Sequence, residues 1–359
     1  MTPAEIVRRR LKNQRLIGKR FRRPAEVVSF HLAMQSQDFA GAKWAIGQRL
    51  GGATDAQVEA AVDSGQILRT HVLRPTWHFV APADVRWLLT LTAPRIRAFS
   101  QPYFRKHGLD ANSLKRSRRV LEKCLRGRQL TRDQLAAELQ AAGLPTKGEA
   151  LSYQLIAAEL DALIVSGPRN GKQHSYALLE ERVPPSVPRE RDEALAELAF
   201  RYLQGHGPAL VQDLAWWAGL TIADAKRGIA ASAARLDSAS VAGKSYWFAP
   251  SRRAVPLTEP VAHLLPNYDE QLIAYRYRGN AADPGLPRGA SPGVFDGHLL
   301  AIDGLLAGGW RRELTKTTVA VQVRVLRRLS RDERRALLHA AEQYASFLML
   351  KLELTIVTR

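Results

Sequence analysis

One order of elements returns three times along this chain, and that repeat constrains the fold more than any single residue does. Residues 24–50 read as helical with a break near the middle, 55–63 as a short helix, and Ile67–Val80, rich in β-branched and aromatic residues, as a hairpin. From about residue 115 the order recurs: a basic helix, a helix capped at Thr131, a helix around Leu151–Leu163, and a hairpin over Leu163–Leu179. That hairpin turns at Pro168-Arg169-Asn170-Gly171, where Asn-Gly is a strong turn signal. After the Pro-rich linker Val183–Pro188 come a helix at 190–204, the stretch Leu210–Gly219, and a helix starting near Thr221. Strands Ser238–Val241 and Ser245–Ala249, turning at Ala242-Gly243-Lys244, complete the third round.

Helix starts are readable because capping boxes recur, at Thr2–Glu5, Thr54–Gln57, Thr131–Gln134 and Ser330–Glu333, with Thr221–Asp224 a weaker relative. Beyond residue 255 the pattern changes to strands, with Gly- and Pro-rich loops at 279–293 and 303–309, a capped helix at 331–345 and a last strand at Leu350–Thr358. The expected fold class is α+β. It consists of three tandem winged-helix units (1–104, 105–183 and 189–254) and a small β-rich C-terminal domain (255–359) closing against the third unit.

Winged helices serve both as DNA readers and as protein-interaction scaffolds, and charge separates the two. The 359 residues carry 53 Lys and Arg against 34 Asp and Glu, a formal charge of +19. Such a surplus favours polyanions. It is clustered in three blocks, each keeping apolar residues at helical or strand spacing. Residues 1–23 hold nine basic residues and one acid; 105–132 hold ten, Arg116 and Arg119 among them; the third runs from Arg311 to Arg335. Basic faces on folded elements suit a groove that tracks phosphates and binds less tightly as salt rises. Double-stranded DNA is the expected partner.

Other classes fall away. No apolar run approaches the roughly 18 residues a membrane span requires. The N-terminus lacks the apolar core of a secretory signal, and a single cysteine, Cys124, makes no internal disulfide, so a cytoplasmic protein is expected. No phosphate-binding loop, dinucleotide fingerprint, zinc-protease motif or nucleophile elbow is present, and the nine histidines fall in no ligand pattern. Neither metal nor cofactor is expected, and Cys124 reads as a small core residue. No heptad seam offers itself for dimerisation, so a monomer is expected.

One short stretch is unusual: Met34-Gln35-Ser36-Gln37-Asp38-Phe39. In mid-helix, Gln35 and Gln37 would lie about 200° apart. Ser36 and Asp38 are both potential caps, so the segment reads as a join between two helices, with both amides projecting into one cleft.

The blocks Leu32–Gln37 and Trp44–Arg49 resemble the start of the AlkZ/YcaQ family of bacterial winged-helix DNA glycosylases. So do Arg69–Val80, Gly207–Leu220, Leu264–Arg278 and Asp296…Trp310-Arg311, in collinear order over nearly the whole chain. The resemblance implies three winged helices in a C-shaped array and catalysis by the Gln-x-Gln form of the motif, here Gln35 and Gln37. It also implies excision of cationic N7-alkylguanines and unhooking of crosslinks, in some members as protection against a genotoxic natural product. The chain departs from the family at Thr76-Trp77-His78, with Trp where Leu is usual, which bears on pocket shape.

Glutamine has no useful pKa and is no general base. An N7-alkylated guanine already carries positive charge, however, and leaves as a neutral base. What remains is to hold a water against C1′ and to stabilise an oxocarbenium-like transition state, and amide oxygens suit both tasks. No lysine is implicated, so no Schiff base is expected. Around this centre, Arg69, Arg74 and His78 on the first wing are candidate contacts to phosphate or lesion. Lys172, with His174, would probe a groove from the second wing, and Arg116 and Arg119 would hold phosphates. Asp38 reads as a helix cap, Trp216-Trp217 as core, and Asp269 with Arg278 as a brace between the third unit and the C-terminal domain. The loop 279–293 is either a DNA-inserting element or a connector. The alternative function is a non-enzymatic winged-helix transcription regulator.

Overall fold

The computed structural model describes residues 1–250, 257–277 and 298–358; the loop 279–293 and Arg278 lie outside the described residues. An N-terminal helix, α1 (Pro3–Asn13), precedes the first round: α2 (Pro24–His31), β1 (Ala33–Gln35), α3 (Phe39–Gly47), α4 (Asp55–Asp63) and the hairpin β2 (Leu68–His71)–β3 (Trp77–Val80). The 25-residue helix α5 (Pro82–Lys106) leads to the second round. This comprises α6 (Ala111–Leu125), β4 (Leu130–Thr131), α7 (Arg132–Ala141), α8 (Ala150–Leu160), β5 (Ile164–Ser166) and β6 (Ser175–Leu178), followed by α9 (Leu179–Arg182). The third is α10 (Arg191–His206), α11 (Val211–Ala218), α12 (Ile222–Ala231), β7 (Asp237–Val241) and β8 (Lys244–Phe248).

The rounds share a topology as well as an order. In the first two, the short strand after the leading helix pairs with the second strand of the hairpin, giving sheet orders β1-β3-β2 and β4-β6-β5. In the third, that strand shrinks to one bridge, Ala209 to Trp247 on β8. All four capping boxes read from the sequence are formed, and Thr221 accepts the Asp224 N–H. The break expected within 24–50 is β1 itself, set off by Leu32 at φ 70°.

The C-terminal part contains β9 (Ala262–Leu265), α13 (Glu270–Ile273), β10 (Leu299–Ile302), β11 (Leu305–Leu314), β12 (Thr318–Val325), α14 (Arg331–Leu348) and β13 (Lys351–Thr358). Its sheet runs β13-β12-β11-β10-β9, with only the β12–β13 pair parallel, joined through α14. Strand β12 alternates strictly between half-buried and buried residues, so Val319, Val321, Val323 and Val325 face one side.

That side does not close against the third unit alone, as expected, but largely on the first. Trp44 of α3 lies 4.9 Å from the Tyr344 ring and 5.2 Å from Phe347, and its Nε1 donates to the Leu264 carbonyl at 2.7 Å. Val58 and Val62 of α4 share the same apolar cluster. Each such buried side chain contributes about 1.5–3 kcal/mol, so the larger apolar face decides the docking. The third unit meets the C-terminal part through residues 270–277, where the Tyr202 hydroxyl donates to the Ala274 carbonyl at 2.8 Å. It also shares a core with the first hairpin: Val72 and Val80 cluster with Leu198 and Trp217.

Part of the basic surplus is internal. Arg10 is buried, donating to the Pro208 carbonyl at 2.9 Å and lying 3.6 Å from the Tyr275 ring centre. Arg327 pairs with Glu333 at the start of α14. Cys124 is buried in the second unit's core, where burial pushes its thiol up to about 11.

Candidate active site

The stretch Gln35–Asp38 joins α2 to α3 through the end of β1 and a bend at residues 37–38. β1 ends at Gln35, and Asp38 begins α3 by accepting the Gly41 N–H on its Oδ1 at 3.0 Å. Both glutamines are bonded from the β2–β3 hairpin. Arg74 Nη2 donates to Gln35 Oε1 at 2.9 Å, and the Trp77 N–H donates to Gln37 Oε1 at 3.4 Å. Gln35 is 7% exposed, whereas Gln37 is open to solvent.

Behind Gln35 stands a carboxylate that sequence reasoning did not single out. Glu270 Oε1 accepts the Gln35 backbone N–H at 2.9 Å, and its Oε2 accepts Trp217 Nε1–H at 2.8 Å and lies 3.3 Å from His206 Nε2. Glu270 is buried, and its position inside the block Leu264–Arg278 is the only sequence signal it offers. Its neighbour Asp269 fixes the short helix that carries it. Both Asp269 oxygens accept from the guanidinium of Arg49, at 3.0 and 2.9 Å, and Oδ1 also accepts the Gln271 N–H. Asp269 therefore braces α13 against the first unit rather than bracing the third unit. The reason is that Arg49, at the end of α3, is fully buried and requires a paired anion.

Arg69 and His78 are inside the fold rather than on the surface expected for DNA contacts. Thr70, His78 and Gln35 stand directly opposite one another across β2, β3 and β1, so their side chains share a face. The His78 ring is fully buried, and burial followed by the Arg74 charge holds its pKa well below the ordinary value. Its Nδ1–H donates to the Thr76 carbonyl at 2.9 Å. Arg69 fastens the glutamine segment: its Nε and Nη2 donate to the Ser36 carbonyl at 3.2 and 3.1 Å, and its guanidinium lies 4.2 Å from the Trp77 ring. Burial pushes it down to about 10.

The second hairpin forms the neighbouring wall. Arg169 donates its N–H to Asp63 Oδ1 at 2.8 Å and pairs with Glu59 at 2.9 Å, both on α4. The His174 ring meets Phe39 edge-on at 4.7 Å, and burial lowers its pKa to about 4. Lys172, at the tip, is exposed. On α6, Lys115, Arg119 and Lys123 recur every fourth residue on an exposed face; Arg116 is exposed too and donates to the Ala142 carbonyl at 2.7 Å. The tryptophan pair is divided, with Trp217 in the core and Trp216 42% exposed.

Buried neutral histidines make the fold acid-sensitive. His31, His78 and His263 are all buried, and desolvation leads the lowering of each, His263 to about 4. A depressed folded pKa means that the unfolded chain binds protons first, so stability is full above about pH 6.5 and falls as pH drops below it. The expected loss from His263 is about 1.4 kcal/mol per pH unit between pH 6.5 and about 4, and His31 and His78 add losses of the same sign. Urea melts at pH 7.5, 6 and 5 check this, and equal midpoints would contradict it.

Among the described residues no helix is long and apolar enough to cross a membrane, and no group of three or more His, Cys, Asp or Glu is placed to hold a metal. Comparison with curated proteins gives no match. Among solved structures, the chain is similar to Streptomyces sahachiroi DNA glycosylase AlkZ, at 19% identity and a TM-score of 0.81. The match covers 99% of this chain and 100% of that one. That likeness is one of fold. The family model for AlkZ-like DNA glycosylases matches residues 30–347, far more than half of the sequence, and on that ground the chain belongs to the AlkZ-like family of DNA glycosylases.

Proposed function

We propose that this DNA glycosylase removes cationic N7-alkylguanines from double-stranded DNA by water attack at C1′, with Gln35 and Gln37 as its catalytic residues and no lyase step. The observation that carries the reading is that two uncharged amide oxygens are turned to one hairpin, the first accepting from Arg74 while Glu270 holds the backbone N–H of the same residue. Amide oxygens orient a water and stabilise developing positive charge on the sugar without abstracting a proton early. That suffices only where the departing base is already charged, so ordinary guanine is spared. N7-linked bulky adducts and interstrand crosslinks share this chemistry.

The three rounds of elements act in this reading as tandem winged helices, 1–104, 105–183 and 189–254, in a C-shaped array around the duplex, with 255–359 closing it. The protein works as a monomer, and Lys115, Arg116, Arg119, Lys123 and Lys172 supply exposed cations for phosphates. Arg69 and His78 support the catalytic strand from within.

Incubation with a duplex bearing one 7-methylguanine tests the assignment. Free 7-methylguanine is expected, leaving an abasic strand that breaks only after alkali. Strand breaks without alkali would overturn the monofunctional mechanism. Binding without base release, selective for a palindrome, would replace it with the regulator.

A further inference from the structure

The C-terminal end of α11, in the third unit, is pinned to the site. Gly219 ends that helix at φ 63° and approaches the first hairpin so closely that a Cβ there would meet the Leu73 carbonyl oxygen at 2.0 Å. Its two tryptophans then serve different sides. Trp217 is buried against Glu270, while Trp216, about 100° further round the helix, is 42% exposed and held by one edge, its Nε1–H donating to the Ile273 carbonyl at 3.3 Å. The Arg74 guanidinium stands 5.8 Å from the centre of this indole, and the same group donates to Gln35 Oε1. A planar cation therefore bridges an exposed indole and a candidate catalytic amide.

An N7-alkylguanine is also a planar cation. We propose that the indole of Trp216 and the amide oxygen of Gln35 form the subsite for the extruded cationic base, and that Arg74 is its placeholder in the free protein. The inference rests on the reading of Gln35 as catalytic. An indole face attracts cations and stacks on any base, so it adds a charge-dependent preference to a charge-independent grip. Because Gln35 is nearly closed to solvent, Arg74 must move aside before the extruded nucleotide reaches the amide. Trp216 is thus a specificity-determining residue contributed by the third unit to a site built on the first.

The test uses the full chain and three duplexes of one sequence. The central nucleotide is 2′-fluoro-7-methylguanosine, cationic and slow to lose its base; 7-methyl-7-deazaguanosine, its neutral near-isostere; or guanosine. Dissociation constants are measured at one salt concentration. Trp216→Ala is expected to lower the preference for the cationic duplex over guanosine about tenfold, with guanosine binding and melting temperature close to wild type. Trp216→Phe should retain stacking on the neutral probe and lose part of the cationic preference. Arg74→Gln should widen the ratio of cationic to neutral affinity, because a competing cation is gone. Equal weakening on all three duplexes, or no change, would overturn the proposal. Release of 7-methylguanine by the wild type from the unfluorinated duplex separates the two failures. Without release, the function assigned above is wrong; with release and an unaffected preference, only the role of Trp216 is.

Discussion

Replacing Gln35 and Gln37 together by alanine is expected to lower single-turnover release of 7-methylguanine about 10³-fold while DNA affinity and melting temperature stay close to wild type. The magnitude follows from what positioned polar groups contribute at a developing charge, about 10²–10³ each. The two losses should not multiply, because both amides serve one water and one sugar, and groups acting as a unit are non-additive. Gln35 is the more pre-organised, nearly closed to solvent and with its backbone N–H held by Glu270, so Gln35→Ala should be the more damaging single change. Carboxylates separate the positions further. At position 35 a glutamate would pair with Arg74 and hold that cation in the site, so Gln35→Glu should be nearly inactive. At position 37, exposed and accepting the Trp77 N–H at a long 3.4 Å, a carboxylate adds negative charge beside the sugar, and Gln37→Glu should keep measurable activity. Slow spontaneous loss of the charged base sets the floor of the assay. Wild-type rates in the double variant would remove both residues from the mechanism.

What the sequence disclosed, and what it hid, divides along physical lines. The three rounds of elements were legible because capping boxes and the Asn-Gly turn act within a few residues, so local chemistry marks the boundaries. β1 was not: three residues are too few for a period-2 pattern, and only the left-handed Leu32 shows that the helix must stop. The motif marks the catalytic candidates and its potential caps mark the join between α2 and α3, but not the short strand within it. The strand end and the bend after it bring both amides to the first hairpin. Glu270 had no local signature at all, since its partners Gln35 and Trp217 lie 235 and 53 residues away. Arg10 in the first basic block and Arg69 on the first wing read from the sequence as surface charge, because arginine is rarely buried. Both, together with Arg49, are buried and hydrogen-bonded, so the surplus of +19 overstates the cations available to DNA.

The largest stability effect should come from Asp269 rather than from any residue facing the substrate. Arg49 is fully buried, and its guanidinium donates to both Asp269 oxygens, to the Ala45 carbonyl at 2.7 Å and to Gln14 Oε1 at 2.9 Å. Asp269→Ala leaves that cation in the core without an anion, a change that costs about 3–5 kcal/mol. Unfolding entropy of about 2 cal/mol/K per residue converts this to a fall of about 5 °C in a cooperative melt of this chain. Activity should fall as well, even at temperatures where the variant is folded, because Asp269 caps the helix that presents Glu270 to the Gln35 N–H. The glutamine variants should do the reverse, losing chemistry without losing stability. Asp269→Asn discriminates further: it keeps an acceptor for Arg49 but removes the charge, so its melting temperature should fall between those of wild type and Asp269→Ala. An unchanged melt for Asp269→Ala would mean that Arg49 finds another anion or water, and that α13 is not held in place from the first unit.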